Sequence, residues 1–219
     1  MSTGKKIVVS LFDLTGNFVR PWADNGFDCF ILDVQHKLET SKVPYMNNGS
    51  MLRVNWDLST PWLPPFDRED IAFVAAFPPC DHLAVSGARW MKGKGLRRLS
   101  HAIKLFASAA EFCEWSKAPY FIENPMSTIS TYWRKPDYTF DPCNYSLFEP
   151  EDHYTKKTCL WVGGGFVMPP KQQGDFGEPD DRIHKAAPSP ERSNFRSQTP
   201  MGFARAVYES NCANYKKTA

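Results

Sequence analysis

A cysteine follows two prolines at the end of an apolar run, a pattern typical of a reactive thiol. The run Ile71-Ala72-Phe73-Val74-Ala75-Ala76 leads into Phe77-Pro78-Pro79-Cys80. In an open α/β sheet, ligands and chemistry gather beyond the carboxyl ends of the strands. A nucleophilic thiol there needs a lowered pKa or a nearby acid or base. His82 is a candidate for that partner, and the alternative is that it is a loop histidine facing water. The alternative for Cys80 is a buried structural cysteine.

An acid occupies the corresponding position after another apolar run. Tyr120-Phe121-Ile122 leads into Glu123-Asn124-Pro125. Burial among apolar neighbours would raise the pKa of Glu123 and allow it to donate a proton. Taken alone, a sheet-edge acid paired with a lysine is the more common role for such a residue. Glu123 is therefore a candidate general acid only in combination with Cys80.

A third polar strand end is Asp33, which follows Cys29-Phe30-Ile31-Leu32. It lies about 20 residues past the first turn, the spacing of an acid that hydrogen-bonds ribose hydroxyls in nucleotide-binding sheets. A turn or helix N-cap residue is an equally good interpretation. The first turn, Asp13-Leu14-Thr15-Gly16-Asn17, matches neither the G-x-G-x-x-G pattern nor a P-loop. We therefore expect a smaller, uncharged nucleoside cofactor and no pyrophosphate cradle.

A basic run follows the cysteine. The ten residues from Arg89 to Arg98 include no acid and five basic side chains. Such loops bind phosphate backbones, and the alternative is a solvated surface loop. The position of the run beside Cys80 favours contact with a polyanion through Arg89, Lys92, Lys94, Arg97 and Arg98.

Short strands alternate with helices along the chain. This alternation predicts βαβ units and an α/β fold with a mostly parallel sheet. Residues 163–200 are expected to form an irregular loop within a single domain spanning 1–219. We predict strands over 7–11, 29–32, 51–55, 71–76, 120–122 and 159–162, and helices over about 18–25, 96–116 and 202–211.

Composition excludes several classes of protein. The chain has 219 residues, 42% of them hydrophobic, and a formal net charge of +2 that says little about partners. Its six cysteines form no C-x-x-C pair, so neither a zinc knuckle nor a thioredoxin site is expected. We also expect no bound metal. No segment has the roughly 18 apolar residues of a membrane span, and no signal peptide precedes the first strand. We expect a soluble cytoplasmic protein with reduced thiols and no membrane contact.

Together these segments resemble the cytosine-5 DNA methyltransferases, and most closely the small phage-type members. The resemblance covers nearly the whole chain in the family's order. Of the four segments given next, the second and third are the most specific for the family. The segments are Phe12 to Gly16 with Pro21-Trp22 and Gly26; Phe77-Pro78-Pro79-Cys80 with Ser86-Gly87; Phe121-Ile122-Glu123-Asn124-Pro125; and Pro190-Glu191-Arg192-Ser193 through Arg196 to Ala204.

The resemblance implies a Rossmann-like, S-adenosylmethionine-dependent methyltransferase fold with helices on both faces of the sheet. It implies methyl transfer to carbon 5 of a cytosine that has been flipped out of DNA. Cys80 would add to ring carbon 6, and Glu123 would hold ring nitrogen 3. Asp33 would bind the ribose and Asp57 the adenine amino group. The full cofactor set that the resemblance implies is Phe12, Thr15, Gly16, Asp33, Asp57 and Pro78.

The chain departs from the family at several positions. Leu14 replaces a usual glycine, and Asp81 replaces the usual glutamine after the nucleophile. The arginine pair that helps to hold the base in the family has no clean counterpart in this chain. Lys157, in the segment Tyr154-Thr155-Lys156-Lys157-Thr158, is the candidate for that role. A lysine there lacks the planar fork of arginine.

The long target-recognition region of the family is missing. Only 28 residues separate Val162 from Glu191. Base-edge readout needs a surface that reaches the major groove. We therefore expect short or loose specificity, a homo-oligomer, or a specificity partner. The resemblance to phage-type members implies that a phage-encoded protein of this kind would act in the cytoplasm of the bacterial host.

Two other hypotheses remain open. The same fold acting on RNA or on a free cytosine nucleotide would explain the missing recognition region. A non-catalytic protein that binds DNA or a host protein as a decoy would explain Leu14 and Asp81.

Overall fold

An eight-stranded mixed, mostly parallel sheet forms the centre of the molecule. The computed structural model of the chain describes residues 6–39, 41–85, 93, 95–185 and 197–212. The strands are β1 (Ile7–Leu11), β2 (Asp28–Leu32), β3 (Ser41–Pro44), β4 (Ser50–Val54), β5 (Ile71–Ala76), β6 (Tyr120–Pro125), β7 (Tyr138–Phe140) and β8 (Thr158–Gly163). Their order across the sheet is β3-β4-β2-β1-β5-β6-β8-β7.

The five central strands are parallel. β1 pairs with β2 on one side and with β5 on the other, β4 extends the sheet beyond β2, and β6 extends it beyond β5. β1 and β5 are buried along their whole length, which accounts for their apolar sequences, interrupted only by Ser10 of β1. β3, β7 and β8 pair antiparallel to their neighbours. The carboxyl ends of β1, β2, β4, β5 and β6 therefore share one edge of the sheet.

Helices cover both faces of the sheet. Trp22 of α1 (Arg20–Asp24) and Phe203 of α5 (Met201–Asn211) share a buried cluster with Phe73 on one face, and Phe106 of α2 (Leu96–Ser116) shares one with Val74 on the other. Asp152 accepts a hydrogen bond of 2.7 Å from the Gly202 backbone N–H and so satisfies a donor in the first turn of α5. The helices are α1 (Arg20–Asp24), α2 (Leu96–Ser116), α3 (Ile129–Tyr132), α4 (Arg182–Lys185) and α5 (Met201–Asn211).

The predicted α/β class and mostly parallel sheet are confirmed. The strands over 7–11 and 71–76 and the helix over 96–116 have their predicted bounds. The described part of 163–200 is largely irregular but contains α4. Strands β3 and β7 were not predicted. No helix among the described residues is long and apolar enough to cross a membrane.

Candidate functional site

The segments that carry Cys80 and Glu123 leave the same edge of the sheet from adjacent strands. Ala76 of β5 pairs with Ile122 of β6, so the residues that follow them begin side by side. The two segments are also joined directly, because the Asn124 Nδ2 group donates a hydrogen bond of 2.8 Å to the Pro78 carbonyl. Asn124 is only 1% exposed. The cysteine and the acid are therefore held on one rigid support.

A second connection lies just beyond the two candidate residues. The Cys80 carbonyl accepts a hydrogen bond of 2.9 Å from the Leu83 N–H, which folds the chain into a turn. The Thr128 N–H donates to the Leu83 carbonyl at 3.0 Å, and the Val85 N–H donates to the Met126 carbonyl at 2.9 Å. The segments after β5 and β6 therefore pair with each other as they leave the sheet.

Cys80 and Glu123 interact electrostatically. Burial raises the pKa of Glu123, and the positive charge of Lys156 offsets part of that rise. Burial also raises the pKa of the Cys80 thiol, and the negative charges of Glu123 and Asp81 raise it further while Lys156 lowers it. The three groups are near enough for the charge of each to affect its neighbours.

Lys156, rather than the predicted Lys157, is the lysine of this site. Its Nζ lies 4.0 Å from Oε1 of Glu123, and both side chains are only 16% exposed. Lys157 is exposed. Lys156 and not Lys157 pairs with Glu123, because neighbouring side chains in an extended segment point to opposite sides; the role of Lys157 in holding the base stays a prediction. The pairing with a lysine agrees with the alternative interpretation of Glu123, although β6 is an inner strand rather than the edge of the sheet.

A pocket opens beside Glu123 and Lys156. It is a small pocket, partly open to solvent, between the ends of β5 and β6, the start of β8 and the start of α5. Acidic, basic and hydroxyl groups face it together with aromatic rings. Its lining residues are Phe77, Glu123, Phe140, Lys156, Thr158, Ser197, Thr199, Pro200 and Phe203.

The turn after β1 is organised by Asp13, a residue that sequence reasoning did not select. Its carboxylate accepts hydrogen bonds from the N–H groups of Thr15 at 3.0 Å and Gly16 at 2.7 Å, and from the Ser10 hydroxyl at 2.7 Å. Burial raises the pKa of Asp13, and these hydrogen bonds oppose the rise. Phe12 adopts a left-handed conformation with φ of 58°, a strained geometry that clusters at functional sites.

Gly16 has no room for a side chain. Its φ is +73°, and a Cβ atom there would lie 2.5 Å from Met51 Sδ. The glycine therefore brings the turn after β1 close against β4. Two of the three predicted cofactor residues of this turn, Thr15 and Gly16, are held in place by hydrogen bonds to Asp13.

The loop after β2 is fastened to the turn after β1. The His36 Nε2 atom lies 3.0 Å from the Asp13 carbonyl, and Asn55 donates to the His36 carbonyl at 2.7 Å. Asp33 accepts a hydrogen bond of 2.7 Å from the Gln35 N–H through Oδ1, so it occupies the turn position that was one of its two interpretations. The turn after β1 and the segment after β2 are thus joined at the carboxyl ends of these two adjacent strands.

The other predicted contact residues are more dispersed. Asp57 is exposed beyond β4, and hydrogen bonds from Ser59 lower its pKa. Pro78 is buried at the Asn124 contact, and His82 Nε2 lies 3.0 Å from Asp81 Oδ2. Arg97 and Arg98 are exposed in the first turn of α2, whereas Arg89, Lys92 and Lys94 lie outside the described residues.

Comparison with models of known protein families and with curated proteins gave no match for this chain. Within the part of the chain that the structure describes, no cluster of histidine, cysteine and acidic side chains is suited to hold a metal ion. The function of the site is therefore argued from its own residues.

Proposed function

We propose that this protein transfers a methyl group from S-adenosylmethionine to carbon 5 of cytosine in DNA, through a transient bond between Cys80 and the base. The observation that carries the proposal is the meeting of a thiol, a buried carboxyl and a lysine at the joined ends of β5 and β6. A nucleophile beside a carboxyl whose pKa is raised suits addition to a ring that must also be protonated.

The strand order supports a nucleotide-type cofactor. Apart from the edge strand β3, the order β4-β2-β1-β5-β6 follows the 3-2-1-4-5 pattern of doubly wound sheets. In such sheets the ligand lies where the strand order reverses, which here is the crevice between β1 and β5. The segments that resemble methyltransferase motifs leave β1, β5 and β6 at this edge.

The turn after β1 suits S-adenosylmethionine better than a phosphate-bearing cofactor. A phosphate cradle needs free backbone N–H groups, but Asp13 already accepts those of Thr15 and Gly16. A buried acid also repels phosphate, whereas S-adenosylmethionine carries no phosphate and has a positive sulfonium. The cofactor supplies an electrophilic methyl group, and Phe12, Thr15, Gly16, Asp33, Asp57 and Pro78 would hold it.

The residues at the ends of β5 and β6 would act on the base. The Cys80 thiolate would bond to carbon 6, the electrons of the C5–C6 double bond would form a C4–C5 double bond, and the Glu123 carboxyl would donate its proton to N3. Carbon 5 of this adduct would then be the nucleophile for the methyl group that S-adenosylmethionine supplies, with S-adenosylhomocysteine as the leaving group. The C5 proton would pass to solvent, the C5–C6 double bond would re-form as the sulfur–carbon bond breaks to return the thiolate, and the N3 proton would return to Glu123.

Lys156 would balance the charges during these steps. Its ammonium lowers the pKa of both Cys80 and Glu123. It therefore favours the thiolate that must attack, and it stabilises the carboxylate that is left once Glu123 has given up its proton. This is part of the role that the resemblance assigns to an arginine.

Mapping of methylated bases after expression tests the proposal. We expect 5-methylcytosine in host DNA from cells that express the protein and none from cells that express Cys80→Ala. Purified protein should form an adduct with DNA containing 5-fluorocytosine that survives denaturing electrophoresis, because fluorine prevents the elimination that releases the enzyme.

The control is Cys80→Ser, which should bind S-adenosylmethionine in calorimetry but form no adduct. Absence of 5-methylcytosine from DNA together with its presence in RNA or in nucleotide pools would overturn the DNA assignment. Absence of both the adduct and cofactor binding would overturn the methyltransferase assignment.

A further inference from the structure

Two apolar side chains are exposed beside the Cys80–Glu123 site. Val85 lies five residues after Cys80, and Met126 lies three residues after Glu123. The Val85 side chain is 50% exposed and that of Met126 is 53% exposed. Single exposed apolar residues are common on protein surfaces. These two differ from such residues because the backbone pairs them with each other.

The backbone holds Val85 and Met126 against each other. Ala84 and Ser127 form an antiparallel bridge, which places Val85 directly opposite Met126. The Val85 N–H donates to the Met126 carbonyl at 2.9 Å. Residues opposite each other in an antiparallel pair project from the same face. The two side chains therefore form one apolar projection.

The projection has a fixed position relative to the reacting groups. Met126 follows Pro125, the last residue of β6, and Asn124 is hydrogen-bonded to Pro78. The Cys80 carbonyl accepts the Leu83 N–H in the turn that leads to Val85. Met126 therefore lies three residues from Glu123, and Val85 five residues from Cys80, on two segments that are hydrogen-bonded to each other.

Resting on the function proposed above, we propose that Met126, supported by Val85, is the wedge that enters the duplex and fills the space left by the flipped cytosine. A base in the stack cannot reach Cys80, so it must leave the duplex. Proteins that open base steps insert apolar side chains, methionine among them, between the bases. Met126 lowers the cost of opening because it restores stacking contacts where the base has left.

A comparison of paired and unpaired target bases tests the wedge. The substrate is a duplex of the mapped methylation context with 5-fluorocytosine at the target and either guanine or an abasic site opposite it. We expect Met126→Ala to slow adduct formation on the paired duplex by about tenfold or more, because the unaided opening of a base pair is costly. On the abasic duplex, where that cost is small, its rate should match that of the unchanged protein.

Two further variants complete the design. Met126→Leu keeps an apolar wedge and should retain the rate on the paired duplex. Met46→Ala, at a methionine that is 69% exposed near the opposite end of the sheet, should change neither rate.

Equal rates for Met126→Ala and the unchanged protein on the paired duplex would overturn the wedge, and so would equal slowing on both duplexes. Failure of the unchanged protein to form an adduct with either duplex would instead overturn the proposed function itself.

Discussion

Glu123 opposes the ionisation of the thiol beside it as long as it carries a negative charge. Its charge raises the pKa of Cys80, and Lys156 acts in the other direction. Burial raises the pKa of Glu123 itself and so favours its protonated form. A proton on Glu123 removes the charge that opposes the thiolate, so protonation of the acid favours ionisation of the thiol. In the proposed reaction, this would link the acid that protonates N3 to the nucleophile that attacks carbon 6.

The first prediction concerns the reactivity of Cys80. We expect Glu123→Gln to lower the pKa of Cys80, because it removes a negative charge, and Lys156→Met to raise that pKa, because it removes a positive one. The rate of alkylation by iodoacetamide as a function of pH measures both shifts. The other five cysteines are buried and contribute little. Methyl transfer should fall in both variants although the thiol becomes more reactive in the first.

Lys157→Met is the matched control for this experiment, since Lys157 is exposed and adjacent in sequence to Lys156. It should leave the alkylation profile of Cys80 unchanged. An equal shift from the two lysine variants would show that Lys156 has no special place in the site.

The second prediction concerns the stability that Glu123 costs the protein. Because burial raises its pKa in the folded state above the ordinary value of 4.5, the folded state binds this proton more tightly than the unfolded state. The resulting stabilisation is present below pH 4.5 and is lost as pH rises through the folded pKa. Glu123→Gln has no such loss. Its melting temperature should therefore exceed that of the unchanged protein at about pH 7.5, and the advantage should shrink at about pH 4.

Equal melting temperatures of the two proteins across this pH range would contradict the second prediction. A gain in stability together with a loss of methyl transfer would identify Glu123 as a residue kept for chemistry at a cost to the fold.

At the scale of elements, the first turn of α2 carries charges of the sign that is unfavourable at a helix N-terminus. Its first turn contains Arg97 and Arg98 and no acid, and Gly95 provides no side-chain cap. Positive side chains at the N-terminus oppose the helix dipole. Both arginines are exposed, so no buried pairing compensates for this cost. A basic helix start is consistent with the proposed contact with phosphates.

The third prediction tests this contact. Arg97→Ala with Arg98→Ala should stabilise the helix by roughly 0.3–1 kcal/mol per residue at low salt. The same change should weaken DNA binding and reduce the slope of log K against log salt by up to about 2, because each phosphate contact contributes about 0.9. Fluorescence anisotropy at several salt concentrations measures the slope. The control is Lys42→Ala with Arg68→Ala, which removes two positive charges from β3 and from the segment before β5. An equal reduction of the salt slope in this variant would show that DNA binding depends only on net charge.

The elements differ in how far the sequence could predict them. β1, β5 and α2 are predictable because each carries a long apolar pattern that is nearly uninterrupted or periodic. β3 and β7 are short edge strands with four and two exposed residues, respectively, so burial leaves no alternation to detect.

Part of the candidate site was likewise beyond the reach of sequence. Lys156 and Lys157 are both plausible by position, and only the register of β8 and its preceding segment decides which one faces Glu123. The role of Asp13 depends on hydrogen bonds to Thr15 and Gly16, which form only once the turn after β1 has folded.

At the scale of the whole molecule, the segment in place of a recognition region is attached to the body of the protein. The Tyr145 hydroxyl donates to the Pro169 carbonyl at 3.1 Å, and Gln172 exchanges backbone hydrogen bonds with Asn144 and Leu147. The Val167 N–H donates to Asn211 Oδ1 of α5 at 2.9 Å. The described part of this segment is therefore fastened to the body of the protein by hydrogen bonds, while most of its side chains are exposed.

The last prediction follows for sequence recognition. On the proposed function, a segment of only 28 residues between Val162 and Glu191 would leave base-edge contacts to the few nucleotides that reach the strand ends. We expect the purified protein to methylate cytosines that share only a short context, measured by sequencing of converted bases in DNA of mixed sequence. Addition of host extract should leave that context unchanged. A long palindromic context would contradict the prediction, because it requires the two-fold symmetry of a second copy. A smaller set of methylated sequence contexts in the presence of extract would also contradict it, and would show that a partner supplies the missing recognition.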